Sequence, residues 1–135
     1  MKRYGDAGSI TVFAAVLIPA LLLVVALVVD RAGQLRTHSD ADALAAEAAR
    51  AAQTAVDTRG ATITVDTPAA VAAARSYLDQ AGYRGTVAII GPHRVRVTVT
   101  VSRPAIFGLG GASYTATGTA TAQLTIGTSP PRGQP

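Results

Sequence analysis

Residues 10–29 read ITVFAAVLIPALLLVVALVV, from Ile10 to Val29, twenty positions without a charge. Fourteen of the twenty are Leu, Ile, Val or Phe. As a helix rising about 1.5 Å per residue the stretch is about 30 Å long, the thickness of a bilayer's hydrocarbon core. At roughly −0.3 to −0.6 kcal/mol each, the fourteen large apolar residues favour insertion by about 4–8 kcal/mol. Pro19, Thr11 and the alanines subtract from that sum without reversing it. A cleaved secretory signal is the competing reading, but its apolar region runs to about 7–15 residues and ends in a small-x-small site. Here Asp30-Arg31 follows instead. The expectation is an uncleaved transmembrane helix over 10–29, with Ile10, Phe13, Pro19 and Val29 as anchor residues in contact with the lipid bilayer. Pro19 removes one backbone donor, which membrane helices tolerate. It reads either as a neutral kink or as a flexible point in a helix that packs into an assembly.

Composition agrees with an anchored chain. Of 135 residues, 49% are hydrophobic but only 4% aromatic and 15% charged, against about 25% charged in ordinary globular domains. There is no cysteine, which excludes a disulfide scaffold and thiolate metal sites. The net charge is +4 and the pI about 10.1. Eleven of the twelve basic residues are arginines, and they are scattered. A nucleic-acid binder clusters its basic residues and, for single strands, interleaves aromatics, so no nucleic-acid partner is expected. Two Lys or Arg flank the span on each side. The free terminal amine favours a cytoplasmic N-terminus, residues 1–9, and an extracytoplasmic C-terminal domain.

Beyond the span the pattern stays helical. Ala41, Leu44, Ala45, Ala48, Ala52 and Ala55 recur at helical spacing and form one small apolar stripe. Charged residues occupy another face, where Arg36/Asp40 and Glu47/Arg50 are spaced to pair. An amphipathic helix is therefore expected over 30–57, in line with the first, with a bend allowed at Gly33 and a stop at Gly60. The stripe packs either on the protein's own sheet alone or against neighbouring subunits as well.

Residues 61–126 read as a small α+β domain. Ala61–Asp66 alternates as a strand. Thr67-Pro68 opens a helix, with threonine as N-cap, whose face is Val71, Ala74, Leu78 and Ala81 and whose stop is Gly82. Thr86–Ile90 is an apolar strand, and residues 91–94 (GPHR) are turn chemistry. Val95, Val97, Val99 and Val101 alternate with polar residues, the clearest half-buried strand in the chain. Ser102–Ala112 is a loop anchored by Ile106-Phe107. Tyr114–Ile126 alternates again, with a bend or bulge at Gly118. Residues 127–135 form a polar tail. The expected architecture is α+β: a long N-terminal transmembrane helix, continued as an amphipathic helix and packed on a small β-α-β-β-β sheet domain.

Chemistry is hard to find. His38 and Asp42 are four apart, but that spacing also suits an exposed helix face, and His93 sits in a turn with no partner nearby in sequence. No nucleophile elbow, P-loop or H-E-x-x-H occurs. No catalytic residue, cofactor, metal or small-molecule substrate is expected, and the protein reads as a non-enzyme. Arg94 and Arg96 share a strand face, with Arg84 and Arg103 near in sequence, either a solvated surface or a patch for anionic polymers.

The stretch Gly8-Ser9-Ile10-Thr11-Val12-Phe13, the apolar run with Pro19 inside it, Asp30-Arg31-Ala32-Gly33 and the alanine-rich DADALAAEAARA (40–51) together resemble the TadE/TadG-like proteins of tight-adherence (Flp) pilus systems. The resemblance covers about residues 5–56. It implies a single-pass minor pilin-like subunit or pilus-assembly factor in the cell envelope, with pilus or secretion-system components as partners. Pilin-like members are cut after a glycine, usually with glutamate at the fifth mature position. A cut between Gly8 and Ser9 would put Phe13 there, so the uncleaved TadG-like form is the one implied. A stand-alone membrane-anchored binding or adaptor module is the alternative.

Overall fold

A computed structural model of the chain describes residues 6–57 and 64–124. One helix, α1 (Asp6–Gln53), carries both the apolar run and the alanine stripe without interruption. It has 48 residues and is therefore about 70 Å long. Neither Pro19 nor Gly33 ends it. The helix stops earlier than the expected 57. Thr54 Oγ1 turns back on the Ala51 carbonyl at 2.8 Å, the Ala55 N–H reaches Ala52 O at 3.3 Å, and the chain then leaves as a strand. Ala55, the last residue assigned to the stripe, thus lies beyond the helix, although it still packs on the core.

Val56–Asp57 (β1) pairs antiparallel with Thr64–Val65 (β2), Val56 opposite Val65. The strand expected at 61–66 is therefore present over its described end. It forms a separate two-stranded ladder rather than part of the main sheet. Residues 1–5, Gly60, residues 61–63, Ile126 and the tail 127–135 lie outside the described residues.

Helix α2 (Thr67–Ala81) follows. Its cap is Asp66 rather than Thr67: Asp66 Oδ1 accepts the Ala69 N–H at 3.1 Å, and a carboxylate there also complements the helix dipole. Gly82, at φ 75°, ends the helix. The Gly82 N–H reaches Asp79 O at 3.1 Å and the Tyr83 N–H reaches Leu78 O at 3.0 Å, the paired bonds of a Schellman motif. The buried face is Ala70, Ala74 and Leu78. Val71 is only partly buried and Ala81 is exposed, because the i, i+4, i+8 row runs through Ala70.

Three strands complete the domain: β3 (Arg84–Gly91), β4 (Arg94–Pro104) and β5 (Ser113–Gln123), an antiparallel meander in the order β3-β4-β5. Pro92-His93 is the turn of the first hairpin, with a register irregularity between Ile89 and Gly91. Val95, Val97, Val99 and Val101 all point into the core. Opposite them along β5 stand Ala122, Ala120, Gly118 and Ala116. Gly118 neither bends nor bulges the strand; its pairing with Val99 is regular.

The reason for glycine there is the helix. α1 lies over β5 and β4, while α2 packs against α1 and β3. A Cβ on Gly118 would stand 2.2 Å from the backbone carbon and oxygen of Ala41. Backbone meets backbone at that point, and the alanines on either side let it happen. The core is therefore small residues on the helix side and valines on the sheet side. The other face of the sheet, including Thr117, Thr119 and Thr121, is exposed.

Candidate functional site

Two regions of α1 behave differently. From Ile10 to Val28 the large apolar side chains are half or more exposed, Ile10 at 68% and Phe13 at 66%. Pro19 is exposed among them, and Val29 is partly covered. The helix is long and apolar enough to cross a membrane, and none of its most apolar window is covered by the protein. Gly8 and Ser9 sit in the first turn of α1.

From Asp30 onward one face is buried. Ala41, Ala45, Ala48 and Ala52 are fully covered and Leu44 partly so, all against the chain's own sheet and α2. The row also extends further back than Ala41. Asp30, Gly33 and Thr37 precede it at the same spacing of three or four, with Thr37 fully buried and Asp30 6% exposed. Thr37 satisfies its hydroxyl on Gly33 O at 2.9 Å. Gly33 leaves room for the Tyr114 ring, since a Cβ there would stand 2.6 Å from the ring's Cε2.

Asp30 is the centre of the end of the domain nearest the apolar run. It stands one residue past the apolar run and accepts hydrogen bonds from three groups distant in sequence. The Phe107 N–H donates to Oδ1 at 3.1 Å and the Leu109 N–H to Oδ2 at 2.9 Å. The Tyr114 hydroxyl donates to Oδ1, and itself accepts the Ile106 N–H at 3.3 Å. A carboxylate drawn out of water needs such partners, because they replace the hydrogen bonds that water gave it. The Tyr114 hydrogen bond, aided by the backbone N–H groups of Leu109, Phe107 and Gly108, holds the Asp30 carboxyl below its ordinary pKa, against the opposing effect of burial. The phenol of Tyr114 is pushed up, first by burial and then by the carboxylate it bonds.

The loop between β4 and β5 is thereby tied to the helix. Its base is closed by the Ala105 N–H on Ala112 O at 3.0 Å, and its tip by the Gly111 N–H on Gly108 O at 3.2 Å. Gly108 and Gly111 both adopt positive φ. The sequence pointed to Ile106-Phe107 as the loop's apolar anchor. Instead Ile106, Phe107 and Leu109 are exposed at 66%, 57% and 49%, and the anchor is the polar Asp30 clasp. A cavity of about 490 Å³ opens beside it, lined among others by Leu27, Asp30, Leu109 and Tyr114.

One ion pair braces the same end. Asp40 pairs with Arg103 at 2.7 Å, rather than with Arg36. Arg103 thus lies on the helix side of the sheet, away from exposed Arg94 and Arg96. Glu47 and Arg50 pair as their spacing suggests. His38 and Asp42 are both exposed. Among the described residues no cluster of three or more His, Asp or Glu is placed to hold a metal.

The signal for the clasp was available in the sequence. Carrying the alanine row back by threes and fours reaches Thr37, Gly33 and Asp30. Its partner, Tyr114, is 84 positions away, and no local pattern connects the two.

Residues 8–59 match the family model described as putative Flp pilus-assembly TadE/G-like. No curated protein and no solved structure matches the chain.

Proposed function

We propose, from the match of residues 8–59 to the TadE/G-like Flp pilus-assembly family model, that the chain is a single-pass, membrane-anchored minor pilin-like subunit or assembly factor of a tight-adherence pilus. The N-terminus is cytoplasmic and uncleaved, the sheet domain extracytoplasmic, and the role structural rather than enzymatic. The observation that carries this reading is the division of α1. Its first half exposes apolar side chains all round, as a helix embedded in lipid or packed among other helices requires. Its second half spends the alanine stripe on the protein's own sheet. Contacts with pilus components then fall to the apolar half and to the threonine-bearing outer face of the sheet.

That outer face favours one alternative. With Arg94 and Arg96 exposed on it, the domain could hold an anionic partner as a stand-alone anchored module. Deletion of the protein distinguishes the two. The pilus reading expects loss of surface appendages and co-purification of the protein with pilus components; unchanged assembly with no co-purification removes it. Intact mass of the membrane-extracted protein tests processing, and a loss equal to residues 1–8 overturns the uncleaved form. Protease added to sealed cells should digest the sheet domain; a protected domain reverses the orientation.

A further inference from the structure

The loop 105–112 presents three large apolar side chains to the outside while its backbone is hydrogen-bonded to α1. Glycines at positive φ shape it, and Asp30 and the Ala105–Ala112 bond pin it. A soluble turn of this length is ordinarily polar, and clustered exposed apolar residues mark a contact surface. Its position identifies the contact. Phe107 and Leu109 are bonded through their N–H groups to Asp30, the residue after the apolar run. Leu109 lines the same cavity as Leu27. Leu27 lies three residues back from Asp30, about 4.5 Å deeper along the helix. The loop tip therefore lies level with the last turn of the segment that spans the bilayer. Between Ser102 and Ser113 the chain carries one charge, Arg103, which is turned to Asp40. Arg31 is exposed beside the clasp, with a stem long enough to reach headgroups.

We propose that Ile106, Phe107 and Leu109 form a second membrane contact, dipping into the lipid interface beside the transmembrane helix. The Asp30 clasp holds the loop at that depth. Two points of attachment then set the tilt and rotation of the domain on the bilayer, which a single helix leaves free. The inference rests on α1 spanning the membrane, but not on any role in a pilus.

The chain has no tryptophan, so single-tryptophan variants report depth directly. The full chain is reconstituted in phosphatidylcholine vesicles, with and without phosphatidylcholine carrying a nitroxide high on its acyl chain. Phe107→Trp should show blue-shifted emission that the nitroxide lipid quenches. Val16→Trp, inside the apolar run, should be blue-shifted and quenched by a nitroxide placed deep in the acyl chain. Thr121→Trp, far along β5 on the exposed face, should emit as in water and stay unquenched. Quenching in Val16→Trp without quenching in Phe107→Trp overturns the loop contact alone. No quenching in Val16→Trp removes the spanning helix and the loop contact together. Equal quenching in Phe107→Trp and Thr121→Trp also overturns the proposal, because the domain would then lie flat on the lipid.

Discussion

Gly118 shows how much one missing Cβ decides. The atom would stand 2.2 Å from the Ala41 carbonyl carbon and oxygen and 2.5 Å from the Asp42 nitrogen, all backbone of a helix that cannot move locally. Gly118→Ala must lift α1 off the sheet, an overpacking cost of about 1–3 kcal/mol. Thermal unfolding in detergent, followed by circular dichroism, should drop by several degrees. Gly110→Ala, with nothing within 4 Å of the added atom, is the control and should change little; equal melting of the two variants would refute the close approach. Asp30 makes a different prediction. Its folded pKa is depressed, so its contribution is complete above the unfolded carboxylate value near pH ~3.9 and is lost as pH falls through the folded value. Tyr114 is raised, so its contribution is complete below about pH 10 and is lost as pH rises through the folded value. Stability should therefore weaken at both extremes. The acid loss should shrink in Asp30→Asn, and the alkaline loss in Tyr114→Phe. An acid limb identical in Asp30→Asn and the parent would show that the clasp is not its source. In the sequence Gly118 looked like a flaw in a strand and Asp30 like the end of a membrane span. Each owes its role to partners 76 or more residues away.

Among the elements, β4 carries the core. Val95, Val97, Val99 and Val101 are buried almost completely, each facing a small residue of β5. Val97→Ala removes two methyl groups where the backbone above cannot collapse. It should cost about 2–3 kcal/mol from lost transfer energy plus the cavity left behind. Thr119→Ala on the outer face should stay within about 0.5 kcal/mol. Chemical denaturation of both variants checks this, and equal losses would mean that the two faces are not distinct. The alternation of β4 was plain in the sequence, as were the hairpin turn and the Gly82 stop, because strand period and turn chemistry are local. The end of α1 was misjudged by several residues. Alanine propensity argued for continuing, but Thr54 bonds back to Ala51 and Val56 finds a strand partner in Val65. The partner strand for residues 64–65 was likewise not legible, since register with β1 depends on where the chain returns.

For the whole molecule, the apolar half of α1 is the part long and apolar enough to hold the chain in a membrane. Replacing Leu17 and Leu22 with arginine changes the insertion balance by about 3–4 kcal/mol at each site. Two such changes offset the whole estimated gain of about 4–8 kcal/mol. The doubly substituted protein should be released by alkaline carbonate while the parent stays in the pellet. Retention of both would mean that something other than this helix holds the protein to the membrane. The sequence by itself determined the apolar run, the helical pattern beyond it, the alanine row and the valine strand. These follow from period and composition, which neighbouring residues set between them. Only the tertiary structure decided that the alanine row is consumed by the protein's own sheet. It also decided that Gly33 and Gly118 are points of contact, and that Asp30 draws the 105–112 loop to the middle of α1, just past the apolar run. Those outcomes depend on which distant backbone groups come within hydrogen-bonding or van der Waals reach. That distance is set by how α1 lies across β5, not by any local pattern.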